Sequence, residues 1–195
     1  MAFTPQPGER YTIRRKILKI FGAGFHIYDA NAEVIGYCKQ KAFRFREKLE
    51  LFTDETKSEV LMTISARTVL DFGTTYDVAG PGGEPIGSVR RKGLKSMLRD
   101  EWVLLDTAGD EIARLQEDST FKALVRRFVE IVAVLMPQKF EVTTADGRHI
   151  ATLRQHLNIF VFRLGLAIHD DEPVDEMLLL ATGFLIAAIE GRQSN

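Results

Sequence analysis

Cysteine is almost absent from this chain of 195 residues, with Cys38 the single one. One thiol excludes an intramolecular disulfide and any zinc site built from several thiolates. An excess of charge of either sign is missing too, since 26 Lys and Arg stand against 27 Asp and Glu. That balance gives no global signal for nucleic acid, and no nucleic-acid partner is expected. No apolar run reaches the roughly 20 residues that a membrane-crossing helix needs. The opening stretch MAFTPQPGERYTIRRK has no apolar segment like that of a signal peptide. This and the lone cysteine favour the cytoplasm. A glycine-rich phosphate loop with its Lys-Ser/Thr is also lacking, and Phe21-Gly22-Ala23-Gly24 reads as a turn. His26, His149, His156 and His169 are scattered singly, without metal-ligand spacing. Ser119 has no nucleophile-elbow surroundings. Cys38 lies mid-strand with no paired base and reads as a small buried hydrophobe. These absences point to a protein that is not an enzyme and carries no cofactor.

What the chain does have is apolar content and pattern. The hydrophobic fraction is 45%, enough for the core of one domain. Residues 1–9 read as a flexible tail and 10–191 as the domain. From Tyr11 to Ile168 short strands alternate with turn signals. In FRFREKLELF, Phe43, Phe45, Leu49 and Leu51 fall on one face, with Glu47 the one exception, and Arg44, Arg46, Lys48 and Glu50 on the other, the period-2 mark of a half-buried strand. Four stretches repeat one unit: residues 27–41, 76–92, 104–118 and 142–156. Each runs through apolar residues into an Asp, Asn or Gly turn, then to Ile and a small residue: Gly36, Gly87, Ala113 or Ala151. The unit is a β-hairpin, and the small residue marks a bend or a close approach of the backbone. Strands are expected at 11–20, 24–29, 34–41, 43–52, 58–67, 74–79, 86–92, 101–106, 111–117, 138–144, 149–155 and 159–168. One segment breaks the pattern. Phe121, Leu124, Val125, Phe128, Val129 and Val132 recur at helical spacing, so residues 119–135 predict an amphipathic helix, with strand over 129–135 as the alternative.

The end of the chain differs again. Residues 177–189, MLLLATGFLIAAI, are apolar on every side, so no wet face exists. Asp170, Asp171, Glu172, Asp175 and Glu176 precede them, where a helix N-terminus favours negative charge. A helix over 175–190 is too short to cross a bilayer and must be enclosed by protein. Twelve strands with one apolar face remove their edges by closing. A barrel of that size is too wide for its own side chains to fill, since about eight strands already suffice for that. The hollow barrel and the all-apolar helix answer each other's need. The expected fold is mainly β: a closed antiparallel barrel of about 12 strands around a hydrophobic C-terminal α-helix.

This combination resembles the tubby-like C-terminal fold, and more closely the LURP-one-related proteins and phospholipid scramblases. The hairpins Tyr28-Asp29…Ile35-Gly36, Asp77…Ile86-Gly87, Asp106…Ile112-Ala113 and Asp146-Gly147…Ile150-Ala151 carry the resemblance, together with DEPVDEMLLLATGFLIAAIE over 171–190. It covers about residues 10–190, and the helix at 119–135 departs from the family's pattern. It implies a twelve-stranded barrel around the terminal helix, and a phospholipid-headgroup site, because tubby proteins bind phosphoinositides. No catalytic signature comes with it.

Basic residues are gathered in the first half, where residues 1–100 hold 17 Lys and Arg against 12 Asp and Glu. Arg14, Arg15, Lys16 and Lys19 form one group; Lys39, Lys41, Arg44, Arg46 and Lys48 a second; Arg90, Arg91, Lys92, Lys95 and Arg99 a third. The candidate anionic-lipid residues are Lys39, Lys41, Arg44, Arg46, Lys48, Arg90, Arg91 and Lys92, if neighbouring strands align them. A membrane-peripheral placement follows. The alternatives are a protein-binding scaffold or signalling role and scramblase-like lipid transfer. Asp170, Asp171 and Asp175 are the weak candidates for a calcium ion, against which stand helix capping and the lack of an alternating ligand loop.

Overall fold

The computed structural model describes residues 4–18, 22–40, 48–67, 74–92, 101–117, 138–156, 161–170 and 172–189. Twelve strands appear in chain order: β1 Tyr11–Leu18, β2 Gly22–Asp29, β3 Val34–Gln40, β4 Leu49–Phe52, β5 Val60–Ala66 and β6 Thr75–Ala79. Then follow β7 Pro85–Lys92, β8 Glu101–Leu105, β9 Glu111–Glu117, β10 Lys139–Thr144, β11 His149–His156 and β12 Phe162–Ile168. Each pairs antiparallel with its sequence neighbours, and β1 pairs with β12, so the sheet is a closed barrel. The closing ladder sets Ile13 opposite Leu164 and Arg14 opposite Arg163. The expected helix over 119–135 lies outside the described residues, as do residues 43–47 of the expected fourth strand. The second strand starts at Gly22, earlier than its apolar residues indicate, because β1 pairs with it as far as Leu18↔Gly22.

The hairpin repeat is physical. Its four turns share one set of bonds. The first turn residue's N–H donates to the carbonyl four residues on, as Asp106 does to Asp110 at 2.9 Å and Gly80 to Glu84 at 2.9 Å. The fourth position is left-handed in all four, with φ of 66° at Ala32, 85° at Gly83, 94° at Gly109 and 87° at Gly147. Glycine takes that region without a steric penalty, which explains its recurrence there. Asp29 and Asp106 also accept N–H bonds from their own turns, Asp106 from Ala108, Gly109 and Asp110 at 2.8 to 2.9 Å.

The small residue after Ile has a defined post. Gly36 faces Ile27, Gly87 faces Val78, Ala113 faces Leu104 and Ala151 faces Val142. In each hairpin the register shifts directly after that pair, so the small residue sits beside a β-bulge. Bulges sharpen strand curvature, and repeating one in every hairpin at the same end rounds the sheet. At Gly87 a Cβ would stand 2.5 Å from the Leu105 carbonyl oxygen and 3.0 Å from Leu178. The glycine is therefore set by contact with a neighbouring strand and with the core.

That core is the C-terminal helix, α1, Glu176–Ile189. At about 1.5 Å per residue it is roughly 21 Å long, comparable with the strands around it. Every residue from Leu178 to Ala188 is buried. Ile13, Phe25, Met62, Ile64, Leu115, Phe140, Leu153 and Leu164 point inward to meet it, all nearly or fully inaccessible. Phe25 and Phe184 meet edge to face with centroids 5.0 Å apart. Gly183 lets the helix approach the wall: a Cβ there would lie 3.1 Å from Ile13 and 3.2 Å from Leu153. Asp175 caps the first turn, accepting the Met177 N–H at 2.7 Å. Thr182, the polar residue of the run, donates to the Leu178 carbonyl at 2.8 Å. No helix among the described residues is long and apolar enough to cross a membrane.

The helix enters at the end of the barrel that carries the tight turns. There Arg10 pairs with Glu176 at 3.0 Å, and the Tyr11 hydroxyl donates to the same carboxylate at 2.5 Å. Burial, then that bond, pushes the Tyr11 phenol up to about 12. Glu9, assigned to the tail by sequence, is docked on the wall: its carboxylate takes the Thr12 hydroxyl at 3.1 Å and His156 Nε2 at 2.5 Å. Gly165 makes the room, since a Cβ there would overlap the Glu9 carboxylate.

Candidate functional site

Closure decides which basic residues become neighbours. Core residues Ile13, Phe25, Ile27, Cys38, Leu153 and Leu164 face inward, so Arg14, His26, Tyr37, His156 and Arg163 face out. The registers set these five in one row across five adjacent strands. Tyr37 faces His26, His26 faces Arg14, Arg14 faces Arg163, and Arg163 faces His156. Both histidines of the row meet a carboxylate: Glu55 lies 2.5 Å from His26 Nε2, and Glu9 lies 2.5 Å from His156 Nε2. Two guanidinium side chains stand directly opposite each other in the middle, an arrangement that opposes folding when the charges are alike. Burial first, then the Arg14 charge, lowers the Arg163 guanidinium from its ordinary value. Arg14 lies over the Tyr28 ring, 5.4 Å from its centroid, and donates to the Tyr28 hydroxyl at 3.4 Å. Lys57 reaches the same face from the β4–β5 turn, 6.0 Å from the Tyr37 ring centroid and 5.8 Å from that of Phe52.

Lys39 is exposed on this face. Its cross-strand partner is Gly24, which in turn faces Lys16. Two of the basic groups separated in sequence, that of β1 and that of β3, are thus joined across β2. Arg15 is not part of the face. It points inward over Phe25, 5.9 Å from the ring centroid, and burial lowers its guanidinium. Lys19, Lys41, Arg44 and Arg46 lie outside the described residues, as do Lys95 and Arg99. Lys48, at the foot of β4, lies 3.5 Å from Glu50.

The β7 group stands apart, three strands beyond β4. Arg91 points inward over the buried Trp102, 5.6 Å from its ring. Arg90 donates to the Thr75 hydroxyl at 3.3 Å. Lys92 pairs with Glu101 at 3.0 Å, and Arg114 brings Glu101 and Glu111 into the same mixed network. Lys92 therefore sits among carboxylates and Arg91 turns inward, so the β7 group does not extend the face around β1. Sequence reading missed Arg163 and the basic neighbours His26 and His156. Arg163 is placed by the β1–β12 register, which joins residues about 150 positions apart in sequence, and the two histidines by the adjoining β1–β2 and β11–β12 ladders.

The acidic lead of α1 has structural employment. Asp170 pairs with Arg148 at 3.1 Å and accepts the Glu172 N–H at 3.2 Å. Asp175 caps the helix, and Asp171 lies outside the described residues. Among the described residues no three His, Cys, Asp or Glu side chains gather as a metal site. Cys38 is 3% exposed, and burial holds its thiol up at about 12.

With barrel, enclosed helix and bulged hairpins in place, comparison with known proteins is decisive. The family model described as LURP-one-related matches residues 9–92 and 36–184. The chain belongs to the LURP-one-related family. Its barrel also resembles an Arabidopsis thaliana protein solved by X-ray crystallography, with 13% identity and a TM-score of 0.51. The alignment covers 97% of this chain and 99% of that one. At that identity the likeness speaks for the fold alone. No curated protein sequence matches the chain. Within this LURP-one-related barrel, the outer face of β3, β2, β1 and β12 is the described surface where basic side chains from separate segments converge.

Proposed function

We propose that this LURP-one-related domain is a non-catalytic module that binds anionic phospholipid headgroups, of the phosphoinositide type, through the face formed by β3, β2, β1 and β12. The observation that carries this reading is the register that sets Arg14 opposite Arg163, with Lys39 on the same side two strands away. Facing guanidiniums create a local positive potential, and a phosphate placed between them takes paired N–H bonds while removing their repulsion. Each Lys or Arg near an anionic surface contributes about 1 kcal/mol, so Arg14, Arg163 and Lys39 supply about 3 kcal/mol. Lys41, Arg44 and Arg46 follow Lys39 in the sequence and would add to it. Such a protein works at the cytoplasmic surface of a membrane without crossing it.

Scramblase-like transfer is the weaker reading, because α1 would have to leave a barrel in which Leu178 through Ala188 are all buried. Co-sedimentation tests the lipid proposal, using phosphatidylcholine vesicles with and without phosphatidylinositol phosphates at low and physiological salt. Binding is expected only to the anionic vesicles, weakening as salt rises. Arg14→Glu with Arg163→Glu removes at least about 2 kcal/mol, a loss of at least about thirtyfold in affinity. Undiminished binding by that folded variant, or none by the wild type at low salt, refutes this face; in the second case a protein partner becomes the better reading.

A further inference from the structure

Two histidines away from the basic row meet at the other end of β11. His149 opens that strand and His169 follows directly after β12. Both are exposed. Their ring centroids are 4.9 Å apart, and the two ε nitrogens converge on one oxygen, the Thr152 hydroxyl, at 3.0 Å from His149 and 3.1 Å from His169. A hydroxyl has one proton to donate. Hence one Nε2 accepts it as a bare lone pair, while the other can donate its own N–H. Moving that second ring's proton from Nε2 to Nδ1 turns both Nε2 lone pairs on the same small volume.

The scaffold beneath is firm. The His169 and Asp170 N–H groups both donate to the Ile150 carbonyl, at 2.8 and 3.2 Å, pinning the end of β12 to β11. Ile150 itself is fully buried, which anchors His149 beside it. The nearby charges are largely occupied: Asp170 with Arg148, and Glu141, across the ladder from Thr152, with Lys139 at 2.7 Å.

We propose that His149 and His169, converging on the Thr152 hydroxyl, form a two-imidazole site for a divalent transition-metal ion of the copper, nickel and zinc class. Imidazole nitrogens favour these ions over calcium or magnesium, and binding strength should follow copper over nickel and zinc. Water completes the coordination, since no third His, Cys or carboxylate gathers there among the described residues. The Thr152 hydroxyl, released from both rings, becomes a partner for that water. This site is independent of the lipid-facing row, so neither proposal falls with the other.

Titration calorimetry of the tag-free chain with copper, nickel and zinc chlorides tests it. One equivalent of copper is expected, with two nitrogen ligands in the electron paramagnetic resonance spectrum. Losing an outer-shell partner alone costs about 10–100-fold at established metal sites, so His149→Ala or His169→Ala should each weaken binding at least about tenfold. In the wild-type protein, copper should broaden the amide resonances of Ile150, Thr152 and Asp170 first. Absence of copper binding, broadening centred elsewhere, or unchanged affinity in the double variant overturns the site.

Discussion

Gly87→Ala puts the bulged hairpin to a quantitative test. The added methyl would stand 2.5 Å from the Leu105 carbonyl oxygen, a backbone atom of the paired strand β8. It would also stand 3.0 Å from the Leu178 side chain in the first turn of α1. A leucine methyl can swing aside, but the carbonyl is held in the β7–β8 ladder, where Ser88 faces Leu105. Relief requires moving one strand from the other or lifting the helix from its seat. Overpacking of this kind costs about 1–3 kcal/mol, partly offset by about 0.5–1 kcal/mol because alanine loses less freedom than glycine on folding. The φ of 159° at Gly87, which residues with a Cβ rarely adopt, adds strain to this balance and sets the net loss at about 1–2 kcal/mol or more. For 150–250 residues each kcal/mol moves Tm by about 2–4 °C, so Tm should fall by about 2–8 °C or more. Guanidinium denaturation should show a lower midpoint with an unchanged slope. Val34→Ala is the control, because Val34 is 41% exposed and a surface change there should stay within about 0.5 kcal/mol. If Gly87→Ala melts with the wild type, or no lower than Val34→Ala, the backbone is not as closely packed at the bulge as described.

Two other perturbations probe the interior. Phe184→Ala empties the contact with Phe25 in a site that is fully buried; a loss of about 3–5 kcal/mol is expected in urea unfolding, and a loss under about 1 kcal/mol would mean that α1 is loosely seated. Cys38, held near 12 by burial, keeps its proton in the fold but loses it near about 8.5 when unfolded. Its contribution is therefore complete below that unfolded value and drains away as pH rises toward 12, and Cys38→Ala should flatten that part of the alkaline stability profile. The thiol should also resist alkylation until the chain unfolds, and rapid labelling of the native protein would contradict its burial.

Much of the architecture was legible because it rests on local rules. Alternation at residues 49–52 and 60–66 marks half-buried strands wherever one face is wet. The Asp and Gly turns recur because one φ value recurs. The all-apolar run from Leu178 to Ala188 announced an enclosed helix, since no water-facing stripe was left to it. Even the small residue after Ile showed through, because the bulge is built into each hairpin. The proposed lipid-binding face was legible only in part. Lys39 belongs to it, but Arg15 and Arg91 turned inward over Phe25 and Trp102, and Lys92 found Glu101. A basic run in one dimension does not reveal which of its members point outward, nor which carboxylate a neighbouring strand will supply.

The amino-acid order alone determined that this chain would form hairpins with a hydrophobic centre, because periodicity, turn chemistry and apolar length act over a few residues at a time. Only the closed structure decided that Arg14 would face Arg163, that Glu9 would lie over Gly165, and that His149 and His169 would share one hydroxyl. Those meetings depend on register between segments distant in the chain. Register is settled by the barrel as a whole, when the first strand and the last find each other around the helix.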